Sequence, residues 1–146
     1  MASPLRPDKT VDPFVSELRQ RRDMYYRNAL DALNKLEYAK AAELMWGTVT
    51  QQCIITDYLL PQLRPEGQEP IGRAHRQYRD FCKNLTLLTG ERSFVERYNS
   101  VQSLHSYFYR EDAIAAPEVT FETIWDSADE LIKSLEDLIN RWSAKP

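Results

Sequence analysis

Apolar residues recur at spacings of three and four along most of the chain, and this period predicts amphipathic α-helices. The pattern begins after a polar, proline-rich start, so we predict a disordered tail at residues 1–11 and a single helical-bundle domain at 12–143. Five helices are expected to begin near residues 13, 38, 71, 93 and 118. Because most connections between them are short, the prediction is an all-α fold, an antiparallel up-and-down bundle of about five helices.

Local signals mark several helix boundaries. Asp12 is an N-cap residue followed by proline in the first turn, and Pro61 stops the second helix. Gly90 follows the third helix at the position where a left-handed residue is common. Ser93 and Glu96 match the capping-box pattern for the fourth helix.

The predicted core comprises the positions that face inward at this period, except that the arginine within the first stripe places the first turns of that helix at the edge of the core. The inward-facing positions are Phe14, Leu18, Arg21, Tyr25, Ala29, Leu33 and Leu36; Ala42, Met45, Trp46, Val49, Cys53, Thr56 and Leu60; Ala74, Tyr78, Phe81, Cys82, Leu85 and Leu88; Phe94, Tyr98, Val101, Leu104, His105 and Phe108; Phe121, Ile124, Ala128, Leu131, Leu135, Leu138 and Trp142. The acidic residues of the last helix are predicted to face outward: Glu122, Asp126, Asp129, Glu130, Glu136 and Asp137. Gly47 lies inside the second helix, which predicts a close approach by another helix or a bulky side chain.

Composition and charge argue against several classes of protein, including metal-binding and membrane-spanning proteins. The net charge of −3 gives no global reason to bind nucleic acid or an anionic membrane. Cys53 and Cys82 are isolated, and the sequence predicts no metal site and no cofactor. We find no signal-peptide pattern and no apolar run of the roughly 20 residues that a membrane span needs, so the expected location is cytoplasmic, without membrane association.

Glu43, Trp46 and His105 are the main candidates for chemistry. Glu43 borders the apolar face of the second helix, and His105 lies on that of the fourth helix. A carboxylate and an imidazole that meet in a bundle stabilise each other's charged forms. Residue chemistry favours a structural Glu–His hydrogen bond, since buried polar groups are normally paired. The alternative makes His105 a general base that Glu43 orients.

Four basic residues have the spacing of one helix face: Arg73, Arg76, Arg79 and Lys83. Such a stripe can contact a phosphate backbone, or it can be a solvated face or one matched to the acidic side of a neighbouring subunit. A second basic cluster has the same alternatives and comprises Arg19, Arg21, Arg22 and Arg27. Tyr107, beside Phe108, suits either base stacking or a protein interface.

Two segments carry a resemblance to a known family. The segment Glu37-Tyr38-Ala39-Lys40-Ala41-Ala42-Glu43-Leu44-Met45-Trp46-Gly47 resembles a Tyr…Ala…Glu…Trp-Gly segment of the paREP-type branch of the HEPN superfamily. The segment Leu104-His105-Ser106-Tyr107-Phe108-Tyr109 is similar to that branch's Leu-His…Phe-Tyr segment. In order and spacing, the resemblance covers about residues 20–140.

The resemblance implies a HEPN-like helical bundle, a homodimer, and binding of RNA or nucleotide. Many HEPN proteins are metal-independent ribonucleases, often toxins of toxin–antitoxin pairs with a nucleotidyltransferase-type antitoxin. Their motif places Arg four to six residues before His, whereas Arg97 is separated from His105 by seven residues, so the motif is not intact. In the catalytic version His105 is the base towards the ribose 2′-hydroxyl, Arg97 neutralises the phosphate, Glu43 orients His105 and Tyr107 positions the substrate. The alternative is a non-catalytic homodimeric protein-interaction module with a structural Glu43–Trp46–His105 cluster.

Overall fold

A computed structural model describes residues 12–71, 77–109 and 118–143, with backbone alone at 105–109 and 118–120. Its helices, numbered in chain order, are α1 (Pro13–Asn34), α2 (Tyr38–Leu59), a short 3-10 helix (Pro61–Leu63), α3 (Tyr78–Thr89), α4 (Ser93–Tyr109) and α5 (Glu118–Ser143). These ranges contain no strand, and the predicted all-α bundle is confirmed. The predicted disordered tail at 1–11 lies outside the described residues. None of the described helices is long and apolar enough to cross a membrane.

Helix α2 lies at the centre of the bundle, where it contacts each of the other four α-helices. Its apolar row is fully buried and comprises Ala42, Met45, Val49 and Cys53. The predicted inward faces of α4 and α5 are also largely confirmed, because these side chains are buried: Phe94, Tyr98, Val101, Leu104, Phe121, Ala128, Leu131, Leu135 and Leu138. The predicted core positions Ala74, His105 and Phe108 lie outside the described side chains.

The helix boundaries follow the sequence signals at three places. The Asp12 carboxylate accepts hydrogen bonds from the backbone N–H groups of Phe14 (2.9 Å) and Val15 (3.4 Å), as an N-cap does. Helix α2 ends at Leu59, before Pro61. Gly90 follows α3 in the left-handed conformation, with φ of 78°. Each of these predictions is confirmed.

The turn between α1 and α2 is closed by a Schellman motif. The N–H of Glu37 donates to the carbonyl of Ala32, and that of Leu36 donates to Leu33, each at 2.9 Å. Glycine is the usual residue at the left-handed position of this motif, but here Leu36 occupies it with φ of 60°. Leu36 is 68% exposed, so its predicted place in the core is wrong. The turn geometry points its side chain away from the helix interface.

The strain at this turn can be measured by substitution. Left-handed backbone costs a non-glycine residue about 1–2 kcal/mol, partly offset in a glycine variant by the greater entropy of the unfolded chain. We expect Leu36→Gly to raise the free energy of unfolding by about 0.5–1 kcal/mol in denaturant titration. Leu36→Ala, which keeps the strain, is the control. Equal stability of the two variants would contradict this prediction.

The predicted third helix is interrupted at Gln77, although Ile71, where it was expected to begin, is helical. Gln77 has extended backbone, with φ of −68° and ψ of 136°, so a helix cannot pass through it, and α3 runs from Tyr78. The predicted continuous helix over 71–89 is therefore wrong. Upstream, the N–H of Ile71 donates to the buried carboxylate of Asp57 at 3.0 Å. This contact between residues distant in the sequence fixes the chain beside α2 before α3 begins.

The predicted capping box at the start of α4 is also wrong. Ser93 is already a helical residue, and the N–H of Val95 donates to the Thr86 hydroxyl at 3.1 Å. A side chain of the preceding helix thus satisfies one of the free N–H groups at this end. The spacing of Ser93 and Glu96 could not reveal this cap, because the acceptor for the Val95 N–H comes from α3.

Leu88 is a further core prediction that fails, whereas Phe14 and Arg21 confirm that the first turns of α1 lie at the edge of the core. Phe14 is about half exposed and packs on Tyr58, with ring centroids 4.9 Å apart. Leu88 is 53% exposed. Arg21 pairs with Glu17 at 3.1 Å on the surface. Phe14 and Leu88 lie in terminal helical turns, where the period still marks a face but a neighbouring helix no longer covers it.

Candidate functional site

Trp46 packs within an aromatic cluster between α2, α3 and α4. Its ring centroid lies 6.3 Å from that of Tyr78, at 90°, and 6.0 Å from that of Tyr98. These separations and angles are typical of favourable edge-on and tilted aromatic pairs. Trp46 is half-buried and Tyr98 is buried, so the cluster joins three helices.

The two tyrosines of this cluster are held in their neutral form. Burial is the main cause that raises the pKa of Tyr98 well above its ordinary value, and the nearby Cys53 and Cys82 add to it. Burial also raises the pKa of Tyr78, with a smaller contribution from Cys53. Both phenols therefore stay protonated at physiological pH, and neither can act as a general base there.

Gly47 allows a close approach by α1. A Cβ atom added to Gly47 would lie 3.2 Å from Cδ2 and 3.4 Å from Cε2 of Tyr25. The ring of Tyr25 therefore packs directly against the backbone of α2. This confirms the prediction that a bulky side chain explains a glycine inside the second helix.

The predicted pairing of Glu43 with His105 lies outside the described residues, because the side chains of His105 and Tyr107 are not among them. The backbone places both in the last turns of α4. Glu43 is half-buried on α2, next to the buried Ala42, as predicted. No hydrogen bond joins Glu43 to another described side chain. The structural and catalytic alternatives for this pair both remain predictions.

Arg97 is held against α5. Its Nη1 donates to the Ser134 hydroxyl at 2.6 Å, and its Nε lies 3.5 Å from a Glu130 carboxylate oxygen. His105 follows eight residues later on the same helix, which corresponds to a rise of about 12 Å. Two contacts on α5 thus hold the guanidinium that the catalytic version requires.

Half of the predicted basic stripe is described. Arg79 and Lys83 are exposed one turn apart on α3, and neither forms an ion pair with a described carboxylate. Arg73 and Arg76 lie outside the described residues. Since α3 begins at Tyr78, the four residues are not on one continuous helix as predicted.

A polar network that the sequence analysis missed joins α1, α2 and α5. Gln52, which is fully buried, donates to Glu136 at 3.0 Å and accepts a 2.7 Å hydrogen bond from Arg22. Arg22 also donates to Glu136 at 2.9 Å, and Arg19 lies 3.4 Å from the same carboxylate. The prediction that Glu136 faces outward is therefore wrong. The arginines pair inside the chain because Glu136 turns toward α1.

One sequence signal could have found this network. Thr48, Gln52 and Thr56 follow one another at a spacing of four, so they form a polar row on α2. All three are buried, and Gln52 also donates to Thr56 at 3.2 Å. The hydroxyls of Thr48 and Thr56 donate to carbonyls of α2 itself, whereas the buried amide of Gln52 needs partners from neighbouring helices. The sequence did not indicate which residues these would be.

A cavity of about 460 Å³ lies beside this network, between α1 and α5. Its lining includes Arg22, Tyr26, Asp129 and Lys133. The cations of this lining lie beside carboxylates, because Arg22 donates to Glu136 at 2.9 Å and Lys133 lies 4.0 Å from Asp129. The cavity therefore presents no free cation for a phosphate.

The sequence and fold were compared with known families, curated proteins and solved structures. None of the three comparisons gives a match. Membership of the HEPN superfamily therefore stays a prediction from the two motif segments.

Proposed function

We propose that this chain is a HEPN-like helical domain that binds RNA through a basic surface that includes Arg79 and Lys83. The observation that carries the proposal is that these two cations are exposed, one turn apart, without a carboxylate partner among the described residues. By contrast, Arg19, Arg22, Arg64, Arg97 and Arg141 all pair within the chain. Unpaired cations on one helix face are available to phosphates. The proposal also includes Arg73 and Arg76, the other two residues of the predicted basic stripe.

In this proposal the chain is a degenerate metal-independent ribonuclease with weak or no cleavage. The contacts of Arg97 with Ser134 and Glu130 support this view. To neutralise a phosphate near His105, Arg97 would have to leave both partners. Binding without efficient cleavage therefore fits the geometry better than an active ribonuclease does.

Binding can be tested by fluorescence anisotropy with a labelled single-stranded RNA of mixed sequence. We expect Arg79→Gln/Lys83→Gln to weaken binding about tenfold at low salt. The slope of log affinity against log salt should become shallower by about 0.7 for each phosphate that the variant no longer neutralises. The matched control is Lys35→Gln/Arg92→Gln, which removes the same charge from exposed side chains that pair with Asp31 and Glu96. Equal weakening by both double variants, or affinity insensitive to salt, would contradict the proposal.

The same preparations distinguish binding from cleavage. Wild-type protein is expected to leave the RNA largely intact over the time of the binding measurement. Cleavage that His105→Ala abolishes, with an unchanged melting temperature, would instead establish the active ribonuclease. A similar loss in Arg97→Ala would show that Arg97 leaves Ser134 during the reaction.

A second candidate is a non-catalytic homodimeric interaction module with a structural cluster around Trp46. It is favoured by Leu87 and Leu88, which are adjacent on α3 and 74% and 53% exposed. Adjacent exposed leucines are typical of contact surfaces. Light scattering after size-exclusion chromatography distinguishes the candidates, because Leu87→Ser/Leu88→Ser would yield monomers if this surface forms the dimer.

The remaining expectations follow from the resemblance. A nucleotidyltransferase-type protein is the expected antitoxin partner, and co-purification with such a protein would support it. A cytoplasmic location agrees with Cys53 and Cys82, which are both buried and form no disulfide with each other. Fractionation of cells that express a tagged chain tests this location.

A further inference from the structure

A second cavity, of about 370 Å³, lies beside the turn that joins α1 to α2. Its walls are aliphatic and aromatic and are formed by Leu33, Leu36, Tyr38, Phe121 and Trp125. The charged groups of its lining are the carboxylates of Glu122 and Asp126. The aromatic side pairs Phe121 with Tyr38 at 5.1 Å and with Trp125 at 6.0 Å between ring centroids. The volume is within the roughly 300–1,000 Å³ of small-ligand sites. None of the described residues that line this cavity is basic.

The two carboxylates differ from the other described acidic residues of α5. Asp129, Glu130, Glu136 and Asp137 each have a basic partner within the chain: Lys133, Arg97, Arg22 and Arg141, respectively. Glu122 and Asp126 are exposed and form no ion pair with a described residue. They are four residues apart on one helix, where like charges repel by a few tenths of a kcal/mol. A bound cation would remove this repulsion.

The cation nearest in sequence to the turn beside this cavity is already paired with another carboxylate. This cation is Lys35, which pairs with Asp31 at 3.1 Å. The carboxylates of Glu122 and Asp126 therefore line the cavity without a competing cation among the described residues. Aromatic side chains add attraction, since their ring quadrupoles bind cations.

We propose that this cavity binds an organic ammonium ion, with the alkyl part against the aromatic wall and the charge between Glu122 and Asp126. An inorganic metal ion fits poorly, because Ca²⁺ and Mg²⁺ need six or more oxygen ligands and most of this lining is hydrocarbon. An anion fits poorly because both charged groups are carboxylates. A methylated or alkylated ammonium matches both the apolar wall and the charged rim.

Choline is the probe for this site, and 3,3-dimethylbutan-1-ol is its neutral isostere. We expect choline to bind with a dissociation constant on the order of 1 mM. Titration followed by ¹H–¹⁵N correlation spectra should shift the indole N–H of Trp125. Glu122→Gln/Asp126→Asn is expected to weaken binding at least tenfold. The matched control is Glu130→Gln/Asp137→Asn, which removes the same charge from the same helix and should stay within about twofold of wild type.

Three results would overturn the proposal. They are equal binding of the neutral isostere, shifts that do not include Trp125, and equal weakening by the control variant. A glycine-flanked trimethyllysine peptide identifies the source of the ammonium group. Tighter binding of the peptide than of choline indicates a partner protein's side chain, whereas tighter binding of choline indicates a small molecule. The site is independent of Arg79 and Lys83, so its failure would leave the RNA-binding proposal unaffected.

Discussion

Replacing Trp46 by alanine is expected to lower the free energy of unfolding by about 3 kcal/mol, because it removes the ring that packs on Tyr78 and Tyr98. The loss combines transfer of the indole to water with a cavity between three helices. Trp46 is half-buried, so the value lies at the lower end of the usual range for this substitution. Denaturant titration measures it directly.

Two controls accompany the Trp46 variant. Trp46→Phe keeps an aromatic ring and should lose less than half as much stability. Leu87→Ala removes an exposed side chain and should change stability by no more than about 0.5 kcal/mol. A loss below about 1 kcal/mol in Trp46→Ala would argue against a structural role. RNA binding in folded Trp46→Ala should equal that of wild type, because the basic surface is intact.

Replacing Glu136 by alanine is expected to destabilise the protein by about 2–3 kcal/mol. The substitution leaves Gln52, which is fully buried, without one acceptor and leaves Arg22 without its main carboxylate. Hydrogen bonds to charged groups contribute about 1.5–3 kcal/mol to stability. When one partner is removed, the other is left buried without a hydrogen bond, which costs free energy. The remaining bond between Arg22 and Gln52, and the partial exposure of Glu136, limit the effect.

The neighbouring Asp137 provides the control. It is exposed and pairs with Arg141 four residues later, at 2.9 Å, so Asp137→Ala should cost no more than about 0.5 kcal/mol. A double-mutant cycle between Glu136→Ala and Gln52→Leu measures the coupling of the network. If the effects of the two substitutions simply add, the hydrogen bond between these side chains contributes nothing to stability.

The fold was largely predictable because it rests on local patterns. The period of three and four fixes the inward faces of α2, α4 and α5, and single residues mark helix ends, as Asp12 and Gly90 do. The errors occur where another element decides the local structure. Thr86 replaces the predicted cap at Ser93, and the carboxylate of Asp57 holds the chain at Ile71. Neither contact leaves a signal in the sequence near the residue that it alters.

The candidate site was less predictable, for the same physical reason. The sequence could place Trp46 and Gly47 on the core side of α2, but not Tyr25, Tyr78 and Tyr98 around them. Spacing could put Arg97 on α4, but its partner Ser134 comes from a helix that begins more than twenty residues later. Side-chain partners across a bundle depend on the rotation and offset of whole helices. The spacing of apolar residues does not determine the rotation or the offset of a helix precisely enough to identify these partners.

The central position of α2 has a consequence for cooperativity. Every other α-helix of the described bundle packs on it, and two of these helices, α4 and α5, follow it at long sequence separation. The hairpin of α1 and α2 can form from local contacts, whereas the docking of α5 must close a long loop first. We therefore expect the bundle to unfold as one unit, with the backbone amides of α2 protected until the last helix has separated.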